Sequence, residues 1–132
     1  MAGSYFTDLA VWQKSMDLSA EIYKIVKFLP REELYCLSDQ MRRAVISIPS
    51  NIAEGNQRAS LREYIHFLYI AKVSLGELVT QIMLCEQMKY IDEEKKDELV
   101  IKCSEVGRML SGLINNLNSR LNTQTRQEGT KK

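Results

Sequence analysis

Between Leu37 and Gly55 the apolar residues Leu37, Met41, Ala44, Ile48 and Ile52 recur three and four positions apart, the interval that lines one stripe of an α-helix. Beside them, at the same interval, run Gln40, Arg43, Ser47, Asn51 and Glu54, so one helix carries an apolar face and a polar face together. A core accounts for the first face. The second needs partners, from other helices, other subunits or a ligand. Pro49 falls inside the pattern and lacks the amide that would bond the Val45 carbonyl, which predicts a helix continuing through a kink with that carbonyl free.

Three further segments share the period. Asp8 is a favourable N-cap for a first helix running to about Phe28, ended by Leu29-Pro30, with Leu9, Trp12, Met16, Tyr23 and Val26 as its buried face. Trp12 reads as a core anchor or as an aromatic for base stacking or subunit contact. Residues 31–36 form a connection with room for a short turn. Ser38 offers the cap of the second helix, Gly55 its close and residues 56–59 the turn. Ser60 with Glu63 has the form of a capping box and opens a third helix, expected to be the longest. On it Leu61, Tyr64, Leu68, Ala71, Leu75, Leu78, Ile82 and Cys85 make one seam, and Ile65, Phe67, Ile70, Val79 and Met83 a second apolar row. One partner helix does not require so broad a stripe, so two flanking helices or another subunit cover it. Gly76 in its interior costs roughly 1 kcal/mol against alanine, which close approach of another backbone would offset. Asp92 caps a fourth helix, with Glu93, Glu94, Asp97 and Glu98 at the positive end of the dipole and Leu99, Cys103, Val106, Leu110, Leu113 and Leu117 as its core row, to near Leu121.

Residues 8–121 therefore predict an all-α fold, an antiparallel up-and-down four-helix bundle with a long third helix. Residues 1–7 form an N-terminal extension. Residues 122–132, where the apolar signal stops, read as a disordered polar tail.

Composition narrows the class without changing this picture. A chain of 132 residues, 45% hydrophobic and 27% charged, suits one globular domain. Three cysteines, Cys36, Cys85 and Cys103, are odd in number and widely spaced; they read as buried or half-buried thiols in a reducing compartment rather than a disulfide framework. Met1–Ser4 lacks a basic segment followed by an apolar run, and no stretch reads as membrane-spanning, so the expectation is a cytoplasmic protein.

Candidate chemistry is sparse. The single histidine, His66, lies off the core stripe; with Glu63 it matches once the Glu-x-x-His pair of two-metal bundles, which need the pair twice. No phosphate-cradling glycine loop, nucleophile elbow or dinucleotide fingerprint occurs. These observations point away from an enzyme and imply no metal and no cofactor. Charge is balanced overall, 18 basic against 17 acidic residues, but uneven locally. Arg42, Arg43, Arg58 and Arg62 face only Glu54 between Gln40 and Arg62, and Arg126, Lys131 and Lys132 follow in the tail. Because a guanidinium fork can donate two bonds to phosphate, the first four are candidates for contact with RNA or another nucleic acid. Alternatively Arg42 and Arg43 pair with carboxylates in the bundle or between subunits. The polar row Gln40, Arg43, Ser47, Asn51 and Glu54 is the candidate subunit contact.

The run Leu9-Ala10-Val11-Trp12-Gln13-Lys14, the stretch Gln40–Gly55, and Phe67-Leu68 through Ala71, Ser74-Leu75 and Glu77-Leu78 resemble the four-helix-bundle proteins encoded in intervening sequences of bacterial 23S ribosomal RNA genes, also labelled ribosomal-protein-like. The resemblance covers about residues 8–120 and is most specific from Arg42-Arg43 through Gly55. Val73 and Cys36 stand where glycine is expected. By its similarity to the accessory variability determinant of diversity-generating retroelements, a ring-forming pentamer that engages a reverse transcriptase and nucleic acid, the family implies a homopentameric ring here. Two functions follow: an oligomer binding RNA through a basic patch repeated around a ring, or a protein–protein scaffold or accessory subunit with no nucleic-acid binding.

Overall fold

The computed structural model describes residues 5–130. A 3-10 turn at Phe6–Asp8 precedes α1 (Ala10–Val26), and a second at Arg31–Glu33 precedes α2 (Leu37–Asn56), α3 (Leu61–Gln87) and α4 (Glu93–Thr130). α2 packs on both α1 and α3, α3 on α4, and α4 returns to α1 along a narrower seam. With short connections this is the up-and-down four-helix bundle that the periodicity implies.

The core rows of α2 and α3 fall where their spacing places them. Leu37, Met41, Ala44, Ile48 and Ile52 are buried, as are Leu68, Ala71, Leu75, Leu78, Ile82 and Cys85, with Leu61 and Tyr64 half-buried. On α4 the row is Leu99, Cys103, Val106, Leu110, Ile114 and Leu117, Ile114 taking the place expected for Leu113. The first helix differs more. Its core face is Val11, Ser15, Leu18, Ile22, Ile25 and Val26, whereas Met16 and Tyr23 are exposed and Leu9 and Trp12 half-buried. Two amphipathic rows lie side by side on this helix, and the one with the aliphatic side chains wins the core. The Ser15 hydroxyl that interrupts it donates to the Trp12 carbonyl at 2.8 Å, so it enters the core satisfied.

Helix ends correct several expectations. Asp8 lies in the 3-10 turn, and α1 begins at Ala10 behind Leu9 with no side-chain cap. α2 begins at Leu37 behind Cys36, which leaves Ser38 buried inside the helix rather than capping it. Ser60 does cap α3, accepting from the Glu63 amide at 3.2 Å, and Asp92 caps α4, accepting from the Lys95 amide at 2.8 Å. Past the end of α3, Lys89 takes a left-handed conformation (φ 65°) and the Tyr90 amide donates back to the Cys85 carbonyl at 2.8 Å, closing the helix without glycine. The Tyr90 hydroxyl then donates to Glu33 Oε2 at 2.7 Å, tying the α3–α4 and α1–α2 connections together at one end of the bundle. That bond, above all, pushes the Tyr90 pKa up to about 12.

α2 runs through Pro49 unbroken, but the Val45 carbonyl is not left free. The Ser19 hydroxyl of α1 lies 3.2 Å from it and 2.9 Å from the Ser15 carbonyl, so one proton serves two acceptors. Gly55 does not close α2, which continues through Asn56 to a cap at Gln57. A Cβ there would sit 2.9 Å from Phe67 Cβ and 3.1 Å from the Tyr64 carbonyl oxygen; glycine is the condition for α2 meeting α3 so closely. Gly76 behaves in the opposite way, since a Cβ there meets nothing within 4 Å in the single chain.

α4, at 38 residues, is longer than the 27-residue α3, and it does not stop near Leu121. Residues 122–129 continue it with every side chain exposed, and the Thr123 and Thr125 hydroxyls donate to the Ser119 and Leu121 carbonyls at 3.0 Å. The loss of apolar periodicity marks the end of core contact, not of the helix, because a nucleated helix adds polar residues at little cost. The expectations placed on residues 1–4 and 131–132 lie outside the described residues.

Cys85 and Cys103 are buried and Cys36 is exposed; all three are free thiols. α3 is also long and apolar enough to cross a membrane, its most apolar 18-residue window having mean hydropathy 1.4, against the sequence expectation that no stretch would be. Here it supplies the seam of a bundle core, and only a third of that window is buried within the chain.

Candidate functional site

The polar row of α2 divides into a middle and two ends. In the middle, Ser47 Oγ lies 2.8 Å from Ser74 Oγ of α3, and Asn51 Nδ2 donates to the Ser47 carbonyl at 2.8 Å and to Ser47 Oγ at 2.9 Å. Both residues are half-buried between the helices. At the ends, Arg43 pairs with Asp39 at 3.1 Å one turn back, Glu54 pairs with Arg58, and Gln40 is exposed. The neighbouring helix and the row itself thus meet most of the demand for partners. On the same side of α3 as Ser74, seven residues on, Gln81 Oε1 is buried without a hydrogen bond among the described residues.

The four arginines singled out for phosphate do not form one patch. Arg42 and Arg43 stand in the first turns of α2 and Arg58 just beyond its end, roughly 24 Å apart along the axis at 1.5 Å per residue. Arg42 Nη2 donates to the Leu34 carbonyl at 3.3 Å, bracing the α1–α2 connection. Of carboxylate pairing by these two, only that of Arg43 is present among the described residues, and it is largely exposed. Arg58 is held by Glu54, lies 4.0 Å from Glu63, and stacks over the Phe67 ring at 4.8 Å.

Arg62 has no ion-pair partner among the described residues. With Arg58, Ser60 and Tyr64 it lines a cleft of about 440 Å3 whose other wall is the α4 extension, at Gln124, Thr125 and Glu128. The Tyr64 hydroxyl accepts from Asn56 Nδ2 at 3.2 Å. Burial raises the Tyr64 pKa, against the opposing effects of that bond and of the nearby Arg120 charge. Arg120 was invisible as a site residue in the sequence because only the register of α4 brings it to the α2–α3 turn.

His66 is exposed, its ring 5.6 Å from that of Phe67, and the Glu63 carboxylate accepts from the Ser60 hydroxyl at 3.1 Å within the cap. Among the described residues no three metal-ligating side chains converge. The conspicuous surface is apolar. Tyr69, Val73, Met83 and Leu84 of α3 and Met88 just past its end are exposed, Val73 by 64%, as is Ile101 of α4 at 66%. Of the second apolar row expected on α3, Ile65 is buried, Phe67, Ile70 and Val79 are half-buried, and Met83 is uncovered.

The architecture defines an all-helical bundle protein whose accessible features are an apolar helix face and scattered, mostly engaged arginines. The chain belongs to the 23S rRNA-intervening sequence protein family, whose model matches residues 7–112. It is similar to a crystal structure of a Bacteroides thetaiotaomicron protein of unknown function from the S23 ribosomal protein family. The two are 28% identical with a TM-score of 0.74, over 80% of this chain and 98% of that one. No curated protein matches the chain.

Proposed function

We propose that the protein is a non-enzymatic subunit of a homo-oligomer, a ring of five on the sequence resemblance, serving as a scaffold for protein contacts. The observation that carries this reading is the outward side of α3, where Tyr69, Val73, Met83 and Leu84 remain exposed on the helix that already supplies the core seam. Single chains rarely leave several large apolar side chains of one helix open to water, and groups of them mark association surfaces. The test is native mass in solution at micromolar concentration. A five-fold mass is expected, and a stable monomer would refute the proposal.

A second reading has one observation in its favour: among the described residues Arg62 lacks a carboxylate partner, and it shares a cleft with Arg58 near Arg120. Repeated around an assembly, that cleft would offer phosphate contacts compensating for a near-neutral chain. On this reading Arg42 and Arg43 serve the bundle and its contacts, not nucleic acid. Binding to structured RNA should then fall steeply with salt and disappear in Arg62→Ala/Arg120→Ala; no binding at low salt removes it.

A further inference from the structure

On the outward side of α3, Tyr69, Val73, Thr80 and Leu84 follow one another at steps of four, seven and four, forming one exposed ridge. Its two flanks differ. Toward α4 lies a trough of about 840 Å3 whose lining includes Lys72, Gly76 and Val79 from α3 and Ser104, Arg108 and Gly112 from α4. Toward α2 lies Glu77, on the same side as Ser74 and Gln81 by helical spacing.

Three charges here are unspent. Lys72, Arg108 and Glu77 are all exposed, and none forms an ion pair among the described residues. The trough is therefore cationic and shallow, and the ridge beside it apolar with an anionic flank. Gly76 and Gly112 sit in helix interiors at the cost that glycine carries there, yet a Cβ at either meets nothing within 4 Å. Nothing inside one chain requires glycine at these positions. A helix laid across them from outside would.

We infer that a second copy of the chain fills this trough with its own α3 ridge, placing its Glu77 against Lys72 and Arg108 of the first. From Tyr69 to Leu84 the ridge is roughly 22 Å long at 1.5 Å per residue, enough to lie along the trough past Gly76 and Gly112. Donor ridge and acceptor trough adjoin at Gly76 but otherwise use different residues, so each copy presents one to each neighbour. That is a heterologous contact, of the kind that closes into a ring when its rotation permits. The inference rests on the self-assembly reading above and specifies its contact.

Sedimentation of single-site variants tests it. Gly76→Leu and Gly112→Leu should leave the thermal stability of the dilute, dissociated chain intact while weakening assembly at least about tenfold, because the added side chain has room in one chain and none between two. Glu77→Arg and Arg108→Glu should each weaken assembly by a similar factor, like charge now facing like. Combining those two in one chain should recover part of the loss and bind more tightly than either single variant, since the swapped pair is complementary again while Lys72 still opposes it. A parent oligomer whose mass and dissociation none of the variants alters, or a combined variant no tighter than either single one, overturns the inference while leaving self-assembly standing. A monomeric parent overturns both.

Discussion

Gly55 allows a quantitative prediction. An alanine Cβ there would approach Phe67 Cβ to 2.9 Å and Tyr64 Cδ1 and the Tyr64 carbonyl oxygen to 3.1 Å each. Two of these three atoms belong to, or are fixed directly to, the α3 backbone, so no flexible side-chain end can swing away. α2 and α3 must instead separate by several tenths of an ångström along a contact that includes the Ser47–Ser74 bond. Overpacking of this kind costs about 2–3 kcal/mol, and the gain in helix propensity on replacing glycine returns about 1 kcal/mol. Gly55→Ala should therefore lose about 1–2 kcal/mol, a fall in Tm of roughly 4–7 °C for a chain of this length. Gly76→Ala is the internal control. Its Cβ meets nothing, so in a dilute sample where single chains dominate it should gain up to about 1 kcal/mol from the same chemical change. Urea unfolding followed by circular dichroism measures both. If Gly55→Ala proves as stable as the parent, or the two variants shift in the same direction, close helix approach is not what glycine provides at position 55.

Two other consequences are open to direct measurement. Ser19→Ala removes the hydroxyl shared with the Val45 carbonyl that Pro49 deprives of an amide, and should cost about 1–2 kcal/mol in urea unfolding; a loss below about 0.3 kcal/mol would mean the carbonyl needs no partner. Burial pushes the Cys103 thiol up to about 12, and burial together with the Glu33 charge pushes Cys85 up to about 11, from an ordinary value near 9.0. Both folded values lie above the unfolded one, so stability is intact below about pH 9 and falls as the pH rises toward 12, the unfolded thiols ionising first. Cys103 alone should contribute up to about 1.4 kcal/mol per pH unit, and Cys103→Ala should flatten the decline between pH 9 and 11; an unchanged slope would refute this.

The hydrophobic period made four helices readable and most of the core rows of α2, α3 and α4, because there one apolar phase outweighs the others, although on α4 Ile114 rather than Leu113 takes the core. α1 offers two. Leu9, Trp12, Met16 and Tyr23 recur as regularly as Val11, Leu18, Ile22 and Ile25, and only the packed neighbours choose between them. Side-chain caps at Ser60 and Asp92 were readable from local chemistry, whereas the starts of α1 and α2, behind Leu9 and Cys36, use no side-chain oxygen and leave no mark in the sequence. Gly55 and Gly76 show the same limit for glycine. Both interrupt a helical pattern, but one is required by a neighbour 2.9 Å away and the other faces open space. Arg43 and Arg58 look close in the sequence, but the residues between them are almost all α2, about 22 Å of helix axis at 1.5 Å per residue, and only the α2–α3 turn separates Arg58 from Arg62.

The two faces of α2 then explain why association falls to another helix. Pro49 breaks the hydrogen-bond ladder at Val45, and α1 repairs the break through Ser19; Gly55 draws α2 onto α3, and Ser47 with Asn51 meets Ser74 across that contact. Each feature that made α2 unusual in the sequence is consumed in fastening it to a neighbour on either side. α3, held by α2 on one flank and α4 on the other, still turns Tyr69, Val73 and Leu84 outward. The surface free to recruit another copy thus lies on the helix that α2 anchors. Substitutions in the polar row of α2 should accordingly loosen the bundle first and the assembly only as a consequence.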